Sequence, residues 1–242
     1  MLYAIFSDIH SNLQAYESLI NDLKKKKPDK CLCLGDIVGY GANPRECIDL
    51  TKKLNCPVIC GNHDLASAGK ISTINFNASA KKAINWTKSV LNAADKTYLD
   101  SLPLTYSDND FTLVHGSLFI PDKFNYISGL ADAEVSMNKQ KTKLCFIGHS
   151  HVPGIFVRSA DSKIKVPTSS TITIEKKMSY LINVGSIGQP RDHDWRACYC
   201  IYDSAKGILS FKRLEYDTDS AIKAILDAKL PSDLASRLKR GS

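Results

Sequence analysis

Five histidines, two aspartates and one asparagine share a setting in this 242-residue chain: each lies at or just past the end of a short apolar run. LYAIFS leads to Asp8 and His10, CLCLG to Asp36, PVIC to Asn62 and His63, FTLV to His115, and CFIG to His149 and His151. A single histidine at a strand end is ordinarily a hydrogen-bonded structural residue. A whole set in equivalent places calls for another account, because polar groups are costly to desolvate without partners. Neutral imidazoles, carboxylates and one amide oxygen suit a borderline divalent metal such as manganese, iron, nickel or zinc. Histidine argues against calcium, which takes oxygen ligands. Asp8, His10, Asp36, Asn62, His115, His149 and His151 make seven ligands, too many for one tetrahedral ion but enough for two if a carboxylate bridges them. Two metals about 3.5–4 Å apart form the clamp used for in-line displacement at phosphorus.

Elements that bring such residues together can be read from the apolar spacing. LYAIFS and CLCLG read as buried strands, with PVIC as a third. Between the first two, Leu13, Tyr16, Leu19, Ile20 and Leu23 recur at helical spacing behind Ser11 or Asn12 as cap. NPRECIDLTKKL opens a second helix with Asn43 as cap and Pro44 in its first turn. From Asn77 to about Leu102 the pattern predicts one further helix, with Ala83, Trp86, Val90 and Leu91 on one face and Pro103 closing it. Trp86 reads as core. The second half is a succession of short strands (FTLVHG, KLCFIG, GIFVR, STITI, YLINVG, ACYCIY, GILSFKRLEY), which predicts a second sheet packed on the first. The tail from Asp219 to Arg240 reads as two short helices separated by Pro231. Apolar runs alternating with helices mark the class as α/β, and ligand sites in such sheets form at strand ends. No repeat or low-complexity linker interrupts residues 1–242, so a single domain is expected.

Composition narrows the function classes. The eight cysteines lie mostly in strand-like apolar runs and form no CxxC pair, so they are expected to be reduced hydrophobes rather than disulfides or zinc ligands. The net charge of +7 is scattered. Its densest run, Lys24 to Lys27, falls where a helix should end before Pro28 and complements the helix dipole. A nucleic-acid partner is therefore not expected. There is no run of about 18 apolar residues to span a membrane. MLYAIFSDIH lacks a basic leader and a cleavage pattern, which makes the cytosol the expected location.

Taken in order, SDIH, GDIVGYG, GNHD, VHGS and GHSH resemble the five blocks of the calcineurin-like metallophosphoesterases. NVGSIGQPRD and the helix NASAKKAINWT are similar to a prokaryotic branch that includes small phosphodiesterases and diadenosine tetraphosphate hydrolases. The resemblance implies a four-layer α-β-β-α sandwich of two mixed β-sheets flanked by helices. It assigns Asp8, His10 and His151 to one metal, Asn62, His115 and His149 to the other, and makes Asp36 the bridge. Two divalent ions are implied, manganese first, with iron, nickel, zinc or magnesium as alternatives. His63 is implied to contact the phosphate and protonate the leaving oxygen, with Asp64 orienting its ring. The implied reaction is attack of a metal-bridging hydroxide on a phosphodiester or nucleotide phosphoanhydride bond of a small-molecule phosphate ester or dinucleotide.

Two departures from the family pattern bear on substrate. Protein phosphatases and symmetrically cleaving diadenosine tetraphosphatases usually continue the second block as GDxxDRG or GDxxxRG. Here GDIVGYG offers Gly39, Tyr40 and Gly41 and no arginine. The loop SIGQPRDHDWRA offers a substitute cation: Arg191 for a second phosphate, with Gln189 and His193 near it. The other reading of Arg191 is a surface ion pair with Asp192 or Asp194. FIPDKFNYI brings aromatics after His115 that serve either base stacking or ordinary packing. Alternative functions are a protein Ser/Thr phosphatase or small-molecule phosphomonoesterase, and a non-catalytic metal-binding scaffold like the retromer relative of this fold. That relative lacks the acid histidine of the third block, whereas His63 is present here.

Overall fold

The computed structural model describes residues 1–242. Its strands in chain order are β1 (Leu2–Phe6), β2 (Lys30–Cys33), β3 (Thr105–Ser107), β4 (Phe111–Val114), β5 (Leu144–Ile147), β6 (Gly154–Arg158), β7 (Ile164–Lys165), β8 (Thr171–Thr173), β9 (Ser179–Asn183), β10 (Ala197–Asp203) and β11 (Ile208–Leu214). The helices are α1 (Leu13–Lys26), α2 (Pro44–Lys53), α3 (Asn62–Ala68), α4 (Ala78–Val90), α5 (Ala93–Ser101), α6 (Leu130–Met137), α7 (Thr218–Asp227) and α8 (Ser232–Arg240). One sheet has the order β2-β1-β10-β11-β8 and the other β3-β4-β5-β9-β6-β7. Both are mixed. β1–β2, β4–β5 and β5–β9 are parallel pairs, and the remaining neighbours run antiparallel.

Because strand side chains alternate in direction, a strand with apolar residues at every position must have a core on each face. In β1, Tyr3 and Ile5 enter the core between the sheets, while Ala4 and Phe6 enter the core under the helices. In β5, Leu144 and Phe146 meet Ile5 between the sheets, and Cys145 and Ile147 turn outward onto Ala133 and Met137 of α6. Helices α1, α2, α4, α5, α7 and α8 cover the outer face of the first sheet. The layers are therefore helix, sheet, sheet, helix, the sandwich the resemblance implied. A side chain such as Phe146, fully buried between the sheets, contributes about 1.5–3 kcal/mol by transfer from water.

Local signals account for most boundaries. Asn12 Oδ1 accepts the Ala15 N–H at 3.1 Å to cap α1, which ends in Lys24, Lys25 and Lys26 as the dipole favours. The helix expected over Asn77 to Leu102 is two helices. Asn92 and Asp95 form a capping box (Asp95 N–H to Asn92 Oδ1, 2.8 Å; Asn92 N–H to Asp95 Oδ2, 3.2 Å) that starts α5 afresh. Trp86 is half-buried against the helix-side core and Val90 is exposed, because α4 ends there. PVIC is reduced to an isolated parallel bridge, Cys33 to Val58. Pro57 has no N–H to extend the ladder, and α3 begins at Asn62. All eight cysteines are free, and no helix is long and apolar enough to cross a membrane.

Candidate metal centre

The parallel strands of both sheets end in one cleft, where the chain leaves them by abrupt turns. Asp8 (φ 56°), His10 (49°), Asp36 (50°), His149 (67°) and His151 (61°) all take left-handed backbone. For residues other than glycine this costs about 1–3 kcal/mol each and persists only where the surroundings hold it. Backbone bonds supply that hold: Asp8 N–H to Gly35 O (3.0 Å), His10 N–H to Asp36 O (2.9 Å) and Gly188 N–H to Asp8 O (2.8 Å).

Each carboxylate is pinned through one oxygen and open at the other. Asp8 Oδ2 accepts the His149 N–H at 3.0 Å, and Asp36 Oδ1 accepts the His63 N–H at 2.9 Å. Asp8 Oδ1 and Asp36 Oδ2 are buried without a hydrogen bond, as are Asn62 Oδ1 and His115 Nε2. Glycine lets the backbone come this close. A Cβ on Gly61 would stand 2.0 Å from Asp36 Oδ1, and one on Gly148 would stand 2.5 Å from Asp8 Oδ2.

The imidazoles are aimed by the same device. Nδ1 of His10, His115 and His151 lies 3.2, 2.7 and 2.6 Å from the carbonyls of Val38, Leu34 and Gln189. A carbonyl can only accept, so Nδ1 carries the hydrogen and the Nε2 lone pair turns inward, the arrangement that orients metal-binding histidines. Asp8 Oδ1 then lies 3.2 Å from His151 Nε2 and 3.6 Å from His10 Nε2, and Asp36 Oδ2 lies 3.2 Å from His115 Nε2 and 3.6 Å from His10 Nε2. Ligands about 2.1 Å from a shared ion are about 3.0 Å apart at right angles and about 3.4 Å apart at tetrahedral angles. The spacings and the orphaned acceptor atoms thus fit divalent ions. Asp8, His10 and His151 form one possible ligand group, and Asp36, His115 and His149 another. Asp36 also groups with His10 and His63, so it faces both sides.

Charge in the cluster is uneven. Burial opposes ionisation of Asp8 and Asp36, yet the surrounding imidazoles, His151 for Asp8 and His115 for Asp36, hold both well below the usual carboxylate range. Burial lowers His149 to about 3 and His151 to about 4. It also opposes a charge on His115, but Asp36 overcomes it and lifts this ring to about 10. Asp8 and Asp36 thus hold negative charge, His149 and His151 are neutral donors, and His115 carries a proton opposite Asp36.

The rim differs in part from expectation. His63 is buried and packs its Nδ1 edge against Gly39, whose added Cβ would stand 2.4 Å away, so that Nε2 turns toward the cleft it lines. Burial drives its pKa well below the ordinary value. Asp64 does not touch that ring. Its Oδ1 accepts the N–H groups of Ile37 (2.9 Å) and Val38 (3.2 Å), and its Oδ2 accepts that of Gly61 (3.0 Å). As the third residue of α3 it caps the helix, which fixes its carboxylate on backbone, so it secures the turns around Asp36 instead of orienting His63.

Arg191 forms no pair with Asp192 or Asp194, which instead hold Arg213 and Arg196. Its Nη2 lies 3.3 Å from Tyr40 Oη and 3.1 Å from Gln189 Oε1. Gln189 is buried, with its side-chain oxygen on Arg191 and its carbonyl on His151, so it supports its neighbours from behind. His193 stands apart: it is exposed, and its N–H donates to Gly241 O at 2.8 Å.

Two aromatics that the spacing did not single out border the cluster. The Tyr40 ring lies 4.6 Å from His10 and 4.5 Å from His63, and Tyr126 stacks on His149 at 3.8 Å. With Phe76, Phe124 and Asn75 they line an open cleft of about 470 Å³. Tyr40 stands in the second block and Tyr126 in FIPDKFNYI, so both signals were there without their geometry.

Known proteins place this arrangement. The chain is 40% identical over 244 residues to MJ0912, an uncharacterized protein of Methanocaldococcus jannaschii, covering 99% of this chain and 98% of that one. The crystal structure of a metallophosphoesterase from Sphaerobacter thermophilus is similar with a TM-score of 0.87 and 37% identity over 100% of both chains. The protein PH1004 of Pyrococcus horikoshii shares the fold with a TM-score of 0.81 at 22% identity, over 100% of this chain and 98% of that one. Residues 1–207 match the calcineurin-like phosphoesterase superfamily domain. With most of its length matched to that domain, the chain belongs to the calcineurin-like phosphoesterase superfamily.

Proposed function

We propose that the chain is a single-domain phosphoesterase that uses two divalent ions, manganese foremost, to hydrolyse phosphodiester or nucleotide phosphoanhydride bonds of small molecules. The observation that carries this reading is the pair of buried carboxylate oxygens without a hydrogen bond, Asp8 Oδ1 and Asp36 Oδ2, ringed at 3.2 to 3.9 Å by the Nε2 atoms of His10, His115 and His151, with Asn62 Oδ1 likewise buried and unpartnered. Asp8, His10 and His151 would hold one ion, Asn62, His115 and His149 the other, and Asp36 both. When bound, such ions polarise a phosphoryl oxygen and bring the pKa of water down toward about 7.

The chain's own residues supply the rest. Val38, Leu34 and Gln189 carbonyls fix the imidazoles, and the His63 and His149 N–H groups fix the carboxylates, so the site is preorganised before substrate arrives. His63 Nε2 faces the cleft, where it can give a proton to the departing oxygen. A phosphate anion beside the ring offsets the effect of burial and favours its protonated form.

The test is turnover of a bis-aryl phosphate, an aryl phosphate and a dinucleoside polyphosphate with manganese, nickel, iron, zinc and magnesium. Activity should vanish with chelator and return with metal; turnover indifferent to chelation would overturn the reading. His63→Ala should keep its metals and lose about 100- to 10,000-fold on alkyl esters, whose leaving groups need a proton, and less on aryl esters. Equal losses on both would remove His63 from the acid's role.

A further inference from the structure

Arg191 is a cation without a counter-ion beside a site built for cations. The carboxylates next to it in sequence hold other arginines. Its Nε is buried and unpartnered, and Nη2 is held by Tyr40 Oη and Gln189 Oε1. A guanidinium has five N–H donors, so most of its capacity is unspent. Its position is fixed from behind by buried Gln189, whose carbonyl also holds His151, and from the side by the Tyr40 ring, 5.7 Å from the guanidinium carbon. Tyr40 and Tyr126 line the same cleft. Those rings flank the cluster, Tyr40 against His10 and His63 and Tyr126 against His149. Once divalent ions occupy the cluster, a further half-buried positive charge beside them is disfavoured unless an anion lies between.

We propose that Arg191, Tyr40 and Tyr126 form a second anion site beside the metal cluster, one that takes the phosphate next to the phosphate under attack. This rests on the phosphoesterase reading and sharpens it. The substrate class becomes nucleoside polyphosphates, in which two phosphates are joined by an anhydride, in preference to diesters with a single phosphate. The arginine that GDIVGYG lacks is replaced from the other sheet, after β9, with Tyr40 as its platform.

Metal-loaded protein is tested with AMP and ADP as competitive inhibitors of bis-aryl phosphate hydrolysis, since the two differ by one phosphate. ADP should bind about 10- to 100-fold tighter than AMP, as two or three charge-assisted hydrogen bonds allow. Arg191→Ala should bring that ratio to within about 3-fold of unity, and Arg191→Lys should restore part of it, because lysine keeps the charge but not the fork. Tyr126→Phe, at an exposed ring, removes only the hydroxyl and should cut the ratio by about 3- to 10-fold. If bis-aryl phosphate is hydrolysed but Arg191→Ala weakens AMP and ADP by the same factor, the second anion site is wrong and the phosphoesterase reading stands. If no ester is turned over with any metal, the phosphoesterase reading fails and takes this inference with it.

Discussion

The two sheets bring different chemistry to the same cleft. The first contributes both carboxylates, Asp8 and Asp36, with His10 and Asn62; the second contributes imidazoles alone, His115, His149 and His151. The carboxylates stay ionised despite burial, whereas His149 and His151 stay neutral down to about 3 and about 4. Direct bonds across the join include His149 N–H to Asp8 Oδ2, His115 Nδ1–H to the Leu34 carbonyl and Gly188 N–H to Asp8 O. One sheet thus fixes the charge that attracts a cation, and the other supplies imidazoles: His149 and His151 as neutral donors, and His115 with a proton drawn to Asp36 that a metal would replace. Cation binding should then act as the joint between the sheets, with unequal consequences for damage on either side.

The largest effect should follow loss of charge from the first sheet. Asp36→Asn keeps the shape and one oxygen but removes a full charge within reach of both ligand groups. At short range even a screened unit charge is worth several kcal/mol, so metal affinity should fall more than about 100-fold and turnover with it. His149→Gln, on the neutral side, should cost about 10- to 100-fold, the scale of a weakened ligand environment. Metal content after dialysis, read by atomic emission, compares the two. Equal losses would show that the charge asymmetry does not organise the centre.

A subtler break uses no ligand at all. Gly61→Ala places a methyl 2.0 Å from Asp36 Oδ1 and must push the carboxylate off its position. Metal affinity should drop about 10- to 100-fold, while Gly129→Ala, with nothing within 4 Å of the added Cβ, should leave it unchanged. Were Gly61→Ala to bind metal normally, the carboxylate would not be held by the close approach of that backbone.

The cluster of histidines and aspartates was legible in the sequence because metal chemistry restricts residue type, and strand ends announce themselves through the apolar runs before them. The sandwich was legible because runs such as CFIG are apolar on both faces. What holds the ligands was not. Val38, Leu34 and Gln189 act through backbone carbonyls, which any side chain could provide. Asp64 misled for a related reason: beside a histidine it suggests a dyad, but as the third residue of a short helix its oxygens are claimed by N–H groups. Arg191 was undecidable in sequence, since its partners are chosen by tertiary competition among Arg213, Arg196 and the two aspartates. The break between α4 and α5 was written in Asn92 and Asp95, a box that the longer apolar period overrode in reading.

The smallest effect, and the one that tests the joint between the sheets directly, is the pH dependence of the metal-free protein. In the unfolded chain these histidines titrate near 6.5. His149 and His151 are depressed to about 3 and about 4 in the folded state, so between those values and 6.5 the unfolded chain binds more protons and stability falls as pH drops. His115 is raised to about 10, so the folded state binds the extra proton between 6.5 and 10. Its stabilisation is complete below 6.5 and is lost as pH rises toward 10. The chelated protein should therefore melt highest near pH 6 to 7 and lower on either side, by about 2–4 °C for each kcal/mol of linkage. Metal replaces the proton that His115 shares with Asp36, so loading should raise the melting temperature overall and flatten the alkaline limb. A chelated protein whose melting temperature climbed steadily from pH 6.5 to 9 would break the pairing of His115 with Asp36, and with it the picture of two sheets joined through a site that a proton holds until a cation replaces it.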